Sequence, residues 1–522
     1  MENKIDINKM QKCKKFIQKI NCGNELYRLG KTFKTKNTYY YYDLGTGKVL
    51  SCSKDAYKIL KSFEKEDENI TNFDLKDESV LNGIEEIISA YETENILKAN
   101  KIESFYKTDI SEIEDAINNK IEMVTLELTE KCNLRCTYCI YQKENENFRS
   151  YGHKEMNFET AKKAIDFVYN HSKDIKEKPY TITFYGGEPL LRYDLIKKCI
   201  NYAEENIVDK NLYYAITTNA TLITEEMANY FAKKRVAITV SIDGSKKIHD
   251  KHRVYSDGKG TFEDTLKGLK KLVTAYSEYA KDDIFINTVV SPPYNKERLD
   301  EIQEFFDDLK WLPKECIITY SYVDKGYILN EEIELLKEMI CNENHNELSP
   351  IDSWSLSRQN DKYIEENSKL KLFTNAENEK ELIRIQQRRI FDKPMKIYPF
   401  NSCCIPGVNR LYITTDGNFL PCEKVGEGPV IGNIEDGFNL KILKEYYFDD
   451  YINKSIKECN KCWSAQLCGV CYCHSMTKNG MDQKLKQHTC NSRRYLNERA
   501  LTYYYQQLED NPKSLEYLKD MI

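Results

Sequence analysis

The sequence predicts an α/β fold, built on a partial (β/α)6 barrel with a small module before it and a cysteine-rich region after it. The chain has 522 residues, which is too long for one compact core. Between 120 and 325, short β-rich apolar runs alternate with amphipathic helical stretches, as in parallel βαβ units. Of the 18 cysteines, nine lie between 403 and 490, where regular periodicity is weak.

Residues 1–110 are expected to form a winged-helix-like peptide-recognition module. The stretch "TYYYYDLGTGKVLSCS" predicts two strands joined by a turn at Gly45-Thr46-Gly47. Ser53 is placed to cap the helix that follows, and two more helical patterns cover about 78–92 and 109–118. The edge of such a sheet can accept an extended peptide as an added strand.

Residues 120–325 contain six β-rich runs separated by helical patterns. Alternation of this kind implies parallel strands with right-handed crossovers, and six units are too few to close an eight-fold barrel. We therefore expect an open barrel whose site lies at the carboxyl ends of the strands. The runs are 123–129, 180–186, 213–218, 236–242, 283–290 and 316–322.

The remainder of the chain divides into two further regions. Residues 326–395 are polar and helical in pattern, which indicates a bridging segment. Residues 396–522 combine many cysteines with little periodicity, as expected for a fold that metal clusters hold together.

Charge and composition argue against several kinds of partner. The formal net charge is −6 and the pI about 5.9, so nothing suggests nucleic-acid binding. The first residues lack the apolar segment of a signal peptide, and no run approaches the length of a membrane span. We expect a cytoplasmic protein, in which closely spaced cysteines are better explained as metal ligands than as disulfides.

The stretch "TEKCNLRCTYCIYQ" carries the most specific signal, a C-x3-C-x2-C spacing directly after the first barrel strand. Its cysteines, Cys132, Cys136 and Cys139, can hold three irons of a [4Fe–4S] cluster and leave the fourth iron open. A zinc site is the main alternative, but it needs a fourth protein ligand, and no His or Cys lies nearby in sequence.

This motif after the first strand of a partial barrel resembles that of the radical S-adenosylmethionine (SAM) enzymes, over roughly residues 120–325. The resemblance implies that the open iron chelates SAM, which is cleaved reductively to methionine and a 5′-deoxyadenosyl radical. A reducing partner such as flavodoxin or ferredoxin would supply the electron. The cofactor carries the difficult chemistry, and the protein supplies orientation and excludes water.

Further residues match the positions where that family contacts SAM. Tyr138 resembles the aromatic residue near the adenine, and Glu188 in "YGGEP" could accept from the methionine ammonium. Ser241 and Asp243 resemble ribose or carboxylate contacts, and Arg253 the arginine that pairs with the SAM carboxylate. Turn capping is the alternative role for each polar residue. The same resemblance adds the strand-end residues Gly186, Gly187 and Asn219.

The C-terminal cysteines resemble a SPASM domain, which holds two auxiliary [4Fe–4S] clusters. Carried over, the pattern gives one cluster to Cys459, Cys462, Cys468 and Cys490. The other would use Cys403 or Cys404, with Cys422 and either Cys471 or Cys473, because the expected position, 472, is Tyr. Either the Cys403–Cys404 pair supplies two ligands, or one iron stays open for a substrate thiolate. A zinc ribbon is the alternative to these clusters.

These resemblances favour a radical SAM/SPASM maturase that forms a thioether in a ribosomally made, Cys-containing precursor peptide, whose leader the N-terminal module would capture. An anaerobic sulfatase-maturating enzyme, which makes formylglycine, shares both cluster regions. An iron–sulfur electron-transfer or sensor protein that never cleaves SAM is a third possibility. The sequence assigns no catalytic residue.

Overall fold

The structure is a computed structural model. Among the residues that it describes, no helix is long and apolar enough to cross a membrane. It describes residues 7–22, 26–27, 29–64, 73–100, 102, 104–105, 109–142, 149–291, 296–322, 376–395, 397–398 and 403–519.

The N-terminal module combines helices with a small antiparallel sheet of order β2-β3-β4. The predicted hairpin is β3–β4, and the structure adds β2 on the other side of β3. Ser53 caps α2 by accepting from the amide of Ala56 at 3.1 Å, as expected. The elements are α1 (Ile7–Cys22), β1 (Leu26–Tyr27), β2 (Gly30–Lys34), β3 (Tyr39–Asp43), β4 (Val49–Cys52), α2 (Lys54–Phe63), α3 (Glu78–Thr93), β5 (Ala99–Asn100) and α4 (Ile110–Asn119).

The predicted barrel is confirmed as six parallel strands that pair in sequence order. They are β6 (Met123–Thr129), β7 (Tyr180–Gly186), β8 (Leu212–Thr218), β9 (Ala237–Ser241), β10 (Ile284–Val290) and β11 (Ile318–Tyr322). The connecting helices are α5 (Phe158–Asn170), α6 (Tyr193–Asn206), α7 (Glu225–Lys233), α8 (Lys246–His252), α9 (Phe262–Tyr276), α10 (Ala280–Asp283) and α11 (Lys296–Asp308).

The C-terminal region continues the barrel sheet. Strand β12 (Leu411–Ile413) pairs in parallel with β6, and the sheet then runs antiparallel through β13 (Asn418–Leu420), β14 (Gly432–Asn433) and β15 (Gly437–Phe438). Apolar residues of these strands belong to the same buried cluster as the barrel core. This part of the chain is therefore anchored by ordinary apolar burial. That metal clusters also hold it together stays a prediction.

Short helices and one long helix complete the chain. Most of the segment expected to bridge the barrel and the C-terminal region lies outside the described residues, and its last part is helical. The elements are α12 (Ala376–Gln387), α13 (Leu440–Ile442), a π-helical stretch (Leu443–Asp450), α14 (Tyr451–Cys459), β16 (Met476–Thr477), β17 (Gly480–Met481) and α15 (Gln483–Asp510).

The N-terminal sheet packs against the C-terminal region. Near the end of α15, Glu509 accepts hydrogen bonds from Thr35 Oγ1 at 2.8 Å and from the Tyr40 hydroxyl at 2.7 Å. The Trp463 ring meets Tyr42 edge-on, with centroids 6.2 Å apart. The sheet thus contacts the segment that carries the C-terminal cysteines, although the two are more than 400 residues apart in sequence.

Candidate active site

The loop with Cys132, Cys136 and Cys139 leaves the carboxyl end of β6 and is held by the segment that follows α8. The amide of Arg135 donates to Val254 O at 2.7 Å, and that of Thr137 donates to His252 O at 2.9 Å. These bonds fix the loop at the carboxyl ends of the barrel strands, as the sequence predicted.

The three thiols of this loop lie close enough to influence one another. Burial, and next the negative charge of Glu188, raise the pKa of Cys132. Burial raises the pKa of Cys136 to about 12, while the cation of Arg253 opposes the rise. Thiols whose pKa values are raised by burial and by neighbouring thiols need a cation to become thiolates together, so this donor set fits an iron–sulfur cluster.

Gly186 and Gly187 bring β7 against the cysteine loop. A Cβ on Gly187 would lie 2.1 Å from Lys131 O, and one on Gly186 would lie 2.4 Å from Thr129 O. In addition, the amide of Gly187 donates to Thr129 O at 2.8 Å. The missing side chains therefore let the backbone of β7 approach the end of β6 and the start of the cysteine loop.

Glu188 is buried and engaged by protein donors. Its Oε1 accepts from Thr218 Oγ1 at 2.7 Å and from the Leu190 amide at 3.0 Å, while Oε2 accepts from the Asn219 amide at 2.9 Å. Burial raises its pKa to about 7, against the lowering effect of these bonds. A carboxylate oxygen can accept two hydrogen bonds, and among the described residues Oε2 accepts this one.

Asn219 links the third strand end to the cysteine loop. Its Nδ2 donates to Asn133 Oδ1 at 2.9 Å, and its Oδ1 accepts from Thr221 Oγ1 at 2.7 Å. Asn133 closes the network by donating to Thr221 Oγ1 at 2.8 Å. The predictions missed Asn133, although it directly follows Cys132 in the motif.

Tyr138, which is half-buried, joins the buried residues Asp243 and Arg253 in one group. Asp243 Oδ2 accepts from the Tyr138 hydroxyl and from Arg253 Nε, the latter at 3.0 Å. The guanidinium carbon also lies 5.4 Å from the centre of the Tyr138 ring. Burial alone would lower the pKa of Arg253, but Asp243 raises it, so the cation is permanent.

The fourth strand end contributes two further observations. Ser241 is almost buried and pairs in register with Asn287 of β10. Just beyond α8, Arg253 is placed by its amide, which donates to His249 O at 2.9 Å. Burial lowers the pKa of His249 to about 4, so this histidine is neutral and acts as a hydrogen-bonding support.

Four of the C-terminal cysteines gather at the junction of α14 and α15. The pKa of Cys459 is raised to about 12, mainly by burial; the cation of Lys486 opposes the rise, and the charges of Cys462, Cys468 and Cys490 contribute to it. The Cys462 amide donates to Cys459 O at 3.1 Å in a tight turn. These four cysteines therefore lie near enough for their charges to interact, and their ligation of one [4Fe–4S] centre stays a prediction.

The remaining C-terminal cysteines form a second group, which consists of Cys403, Cys404, Cys422, Cys471 and Cys473. Cys471 Sγ lies 3.1 Å from Cys473 Sγ, and the hydrogen bond from Cys473 is the main reason that the pKa of Cys471 falls to about 4. Burial, and then the charge of Cys471, raise the pKa of both Cys403 and Cys404. The charge of Cys422 contributes to the raised pKa of Cys473.

His474 joins this second group and was missed by the sequence reasoning. Its ligating nitrogen and the two sulfurs of Cys471 and Cys473 lie within 4.8 Å of one another, so the three could hold a metal ion. The contacts bring both candidate cysteines to the site. These contacts do not show which of the two, Cys471 or Cys473, would be the cluster ligand.

Comparison with known proteins agrees with this geometry. Residues 126–306 match the radical SAM superfamily. A Methanocaldococcus jannaschii protein is 42% identical over 144 residues, which are 28% of this chain and 46% of that protein. The cysteine-type anaerobic sulfatase-maturating enzyme of Clostridium novyi is 28% identical over 67% of this chain and 86% of its own. The radical SAM cyclopropyl synthase TigE of Paramaledivibacter caminithermalis is 27% identical over 57% and 68%.

Solved structures show the same fold. A tagged form of the enzyme anSMEcpe with bound AdoMet superimposes with a TM-score of 0.54 at 21% identity, covering 76% of this chain and 97% of that one. The same enzyme with bound AdoMet and a Cp18Cys peptide gives 0.52 at 21% identity, over 75% and 99%. The chain therefore contains a region, residues 126–306, that matches the radical SAM superfamily and includes the three-cysteine loop, and maturases are among its relatives.

Proposed function

We propose that this chain is a radical SAM peptide maturase that modifies a ribosomally made, Cys-containing precursor, forming a thioether between the cysteine sulfur and a carbon. The observation that carries the proposal is one arrangement at the open end of the barrel. There, three cysteines of one loop lie beside the hydrogen-bonded Tyr138–Asp243–Arg253 group and beside Glu188.

The residues present fit SAM and a [4Fe–4S] cluster. Cys132, Cys136 and Cys139 would hold the cluster through three irons. When bound, the two groups together supply a carbon-centred radical that removes hydrogen from a substrate. Arg253 is a permanent buried cation suited to the SAM carboxylate, and Glu188 keeps an acceptor position for its ammonium.

The protein orients these two polar groups before any ligand arrives. Asp243 fixes Arg253 through Nε, which leaves the other guanidinium nitrogens for a carboxylate. Thr218 and the Asn219 amide fix Glu188. Because the positions are set by buried hydrogen bonds, little conformational entropy remains to be lost on binding.

The C-terminal cysteines support two auxiliary clusters. One set is Cys459, Cys462, Cys468 and Cys490. The other set is Cys403 or Cys404 and Cys422 with Cys471 or Cys473. Five cysteines are candidates for this second cluster, which is one more than a [4Fe–4S] cluster needs. Complete ligation by the protein and an iron left open to the substrate are therefore both compatible with this set.

Contacts of the N-terminal sheet support a role in capturing a leader peptide. The sheet packs through Tyr42 on Trp463, the neighbour of Cys462, so a peptide held there starts next to the auxiliary cysteines. Strand β4 is an edge of this three-stranded sheet and can pair with an extended segment.

Formylglycine formation on a sulfatase is a second candidate. It is favoured by the match to the Clostridium novyi enzyme, which covers 86% of that protein. Mass spectrometry separates the two reactions, because a thioether retains sulfur and loses two hydrogens, whereas formylglycine formation from cysteine loses the sulfur. The substrates to compare are a cysteine-containing peptide encoded beside this gene and a cysteine peptide of a sulfatase.

The first experiment needs no substrate. The anaerobically reconstituted enzyme is reduced with dithionite in the presence of SAM, and 5′-deoxyadenosine is measured. We expect it to form with the wild-type chain and to be lost in Cys136→Ala. Absence of 5′-deoxyadenosine from the wild-type chain would overturn the proposal, and would favour an electron-transfer or sensor role. Replacing dithionite with reduced flavodoxin or ferredoxin tests the reducing partner.

A further inference from the structure

Lys486 is a buried lysine between α14 and α15, the two helices that carry Cys459 and Cys490. It lies on α15, four residues before Cys490, and is only 6% exposed. Residues four apart lie on one face of a helix, so Lys486 and Cys490 share a face of α15. Since burial of an ammonium group is costly, the position of this lysine calls for negative charge nearby.

Two contacts hold the ammonium group of Lys486 against α14. Its Nζ donates to Ser455 Oγ and lies 4.3 Å from the centre of the Tyr451 ring. Ser455 in turn donates to Tyr451 O, which leaves its oxygen to accept from the ammonium group. Ser455 precedes Cys459 by about one turn of α14. The ammonium group therefore lies about one helical turn from a cysteine on each helix.

The electrostatics of the first auxiliary set point to the same cation. The pKa of Cys459 is raised to about 12 by burial, and after burial the opposing charge of Lys486 has the largest influence on it. Burial also raises the pKa of Cys490, and Lys486 again opposes the rise. A cation that favours thiolate over thiol also favours other added negative charge, including that of an electron on a cluster that these sulfurs hold.

The same lysine also reaches the second group of C-terminal cysteines. The Tyr451 ring meets the ring of Tyr472, with centroids 4.9 Å apart, and Tyr472 lies between two cysteines of that group in the chain. Burial raises the pKa of Cys403, while the cation of Lys486 and a hydrogen bond with Tyr451 oppose the rise. One buried cation is thus close to both groups of C-terminal cysteines.

We infer that Lys486 is the shared cation of the two auxiliary clusters and raises the reduction potential of both. This inference rests on the proposed function, which places the clusters on these cysteines. When a [4Fe–4S] centre gains one electron, its negative charge grows by one and no bond forms or breaks, so a fixed cation nearby favours the reduced state. In the proposed reaction, a carbon radical that bonds to a thiolate sulfur leaves one surplus electron. An oxidised auxiliary centre of raised potential accepts that electron more readily.

The test is a redox titration of the full chain in which Cys132, Cys136 and Cys139 are replaced by alanine, so that only the auxiliary centres remain. This parent protein is reconstituted anaerobically with iron and sulfide, and it should hold about eight irons per chain. Dithionite supplies the electrons, and electron paramagnetic resonance follows the reduced centres. The titration gives two midpoint potentials for the parent and for each variant made in it.

Three replacements of Lys486 separate its charge from its hydrogen bond. Lys486→Met removes both, and Lys486→Gln removes the charge but keeps a donor for Ser455. In each, both midpoint potentials should fall, and the larger change should be about tenfold in the reduction equilibrium, or about 59 mV for one electron. Lys486→Arg keeps a cation and should lower the potentials by less than half as much as Lys486→Gln.

Lys484→Met is the matched control. It makes the same change on the same helix, but at an exposed position where water and salt screen the charge, so both potentials should stay at the values of the parent.

Several results would overturn the inference. These are unchanged potentials in Lys486→Met or Lys486→Gln, a fall in only one of the two potentials, or an equal fall in Lys484→Met. Loss of the auxiliary irons from both uncharged Lys486 variants would show a role in assembly and would also overturn it. The parent protein separates the two failures. If it holds fewer than two [4Fe–4S] clusters, the auxiliary clusters of the proposed function are wrong; if it holds two and the potentials disagree, the role of Lys486 is wrong.

Discussion

Replacement of Gly187 by alanine tests how the barrel supports the cysteine loop. The new Cβ would lie 2.1 Å from Lys131 O, whereas real Cβ contacts are essentially never below 3.0 Å, so the two atoms must separate by about 0.9 Å. Lys131 directly precedes Cys132, and its carbonyl belongs to backbone that cannot rotate away as a side chain would. Overpacking of this kind costs about 1–3 kcal/mol.

Two measurements on anaerobically prepared enzyme report this change. The Tm should fall by about 2–12 °C, if the barrel unfolds as a unit of some 200 residues. The reconstituted variant should also hold less iron than the wild type, because the first cysteine of the loop is displaced.

Gly258→Ala is the control for a general effect of glycine replacement. A Cβ at this position meets nothing within 4 Å, but the residue has a φ of +82°. The control should lose about 1 kcal/mol of stability through backbone strain and keep the iron content of the wild type. A Gly187→Ala variant with unchanged Tm and unchanged iron would refute the argument from close backbone contact.

Three further predictions concern the cluster loop, a buried acid and the contact between the N-terminal sheet and α15. Cys136→Ala should lose about four irons per chain, the content of one [4Fe–4S] cluster, measured by iron analysis and visible absorption; full retention would exclude this loop as a cluster site. Burial raises the pKa of Glu188 in the folded, metal-free chain to about 7, whereas its ordinary value is 4.5. Between these two pH values the carboxyl group of Glu188 is protonated in the folded chain and ionised in the unfolded chain. The free energy of unfolding of the wild type, relative to that of Glu188→Gln, should therefore fall by up to about 3 kcal/mol as the pH rises from about 4.5 to 7, and should stay constant above pH 7. Denaturant titrations of both proteins at each pH measure this difference. A difference that does not change with pH would contradict the prediction. Glu509→Ala and Tyr40→Phe should each raise amide hydrogen exchange in β3, and together they should fall short of additivity by about 1 kcal/mol, because each removes the same hydrogen bond. Strict additivity would show that the bond is absent.

Local patterns were sufficient to predict the barrel and the loop on it. Alternation of apolar runs with helical periodicity is set by the chain itself, and the six parallel strands follow it in order. The position of Cys132 directly after the first run also fixed its place at the carboxyl edge. In contrast, strand β2 was missed, because its sequence "GKTFK" has few apolar residues and its burial depends on contacts with α15 and Glu64.

Partners in the site could not be assigned from spacing alone. The sequence proposed Tyr138, Asp243 and Arg253 as separate ligand contacts, whereas the structure joins them in one hydrogen-bonded group. Asn133 and His474 were overlooked because each is adjacent to a cysteine and carries no periodic signal of its own.

By itself, the sequence determined the strand order and the placement of the three-cysteine loop, because these depend on neighbours close along the chain. The tertiary structure alone decided that β12 extends the barrel sheet beside β6 and that the N-terminal sheet rests against Trp463. Those features join residues hundreds of positions apart, and their pairing follows from the packing of whole surfaces, which no local pattern specifies.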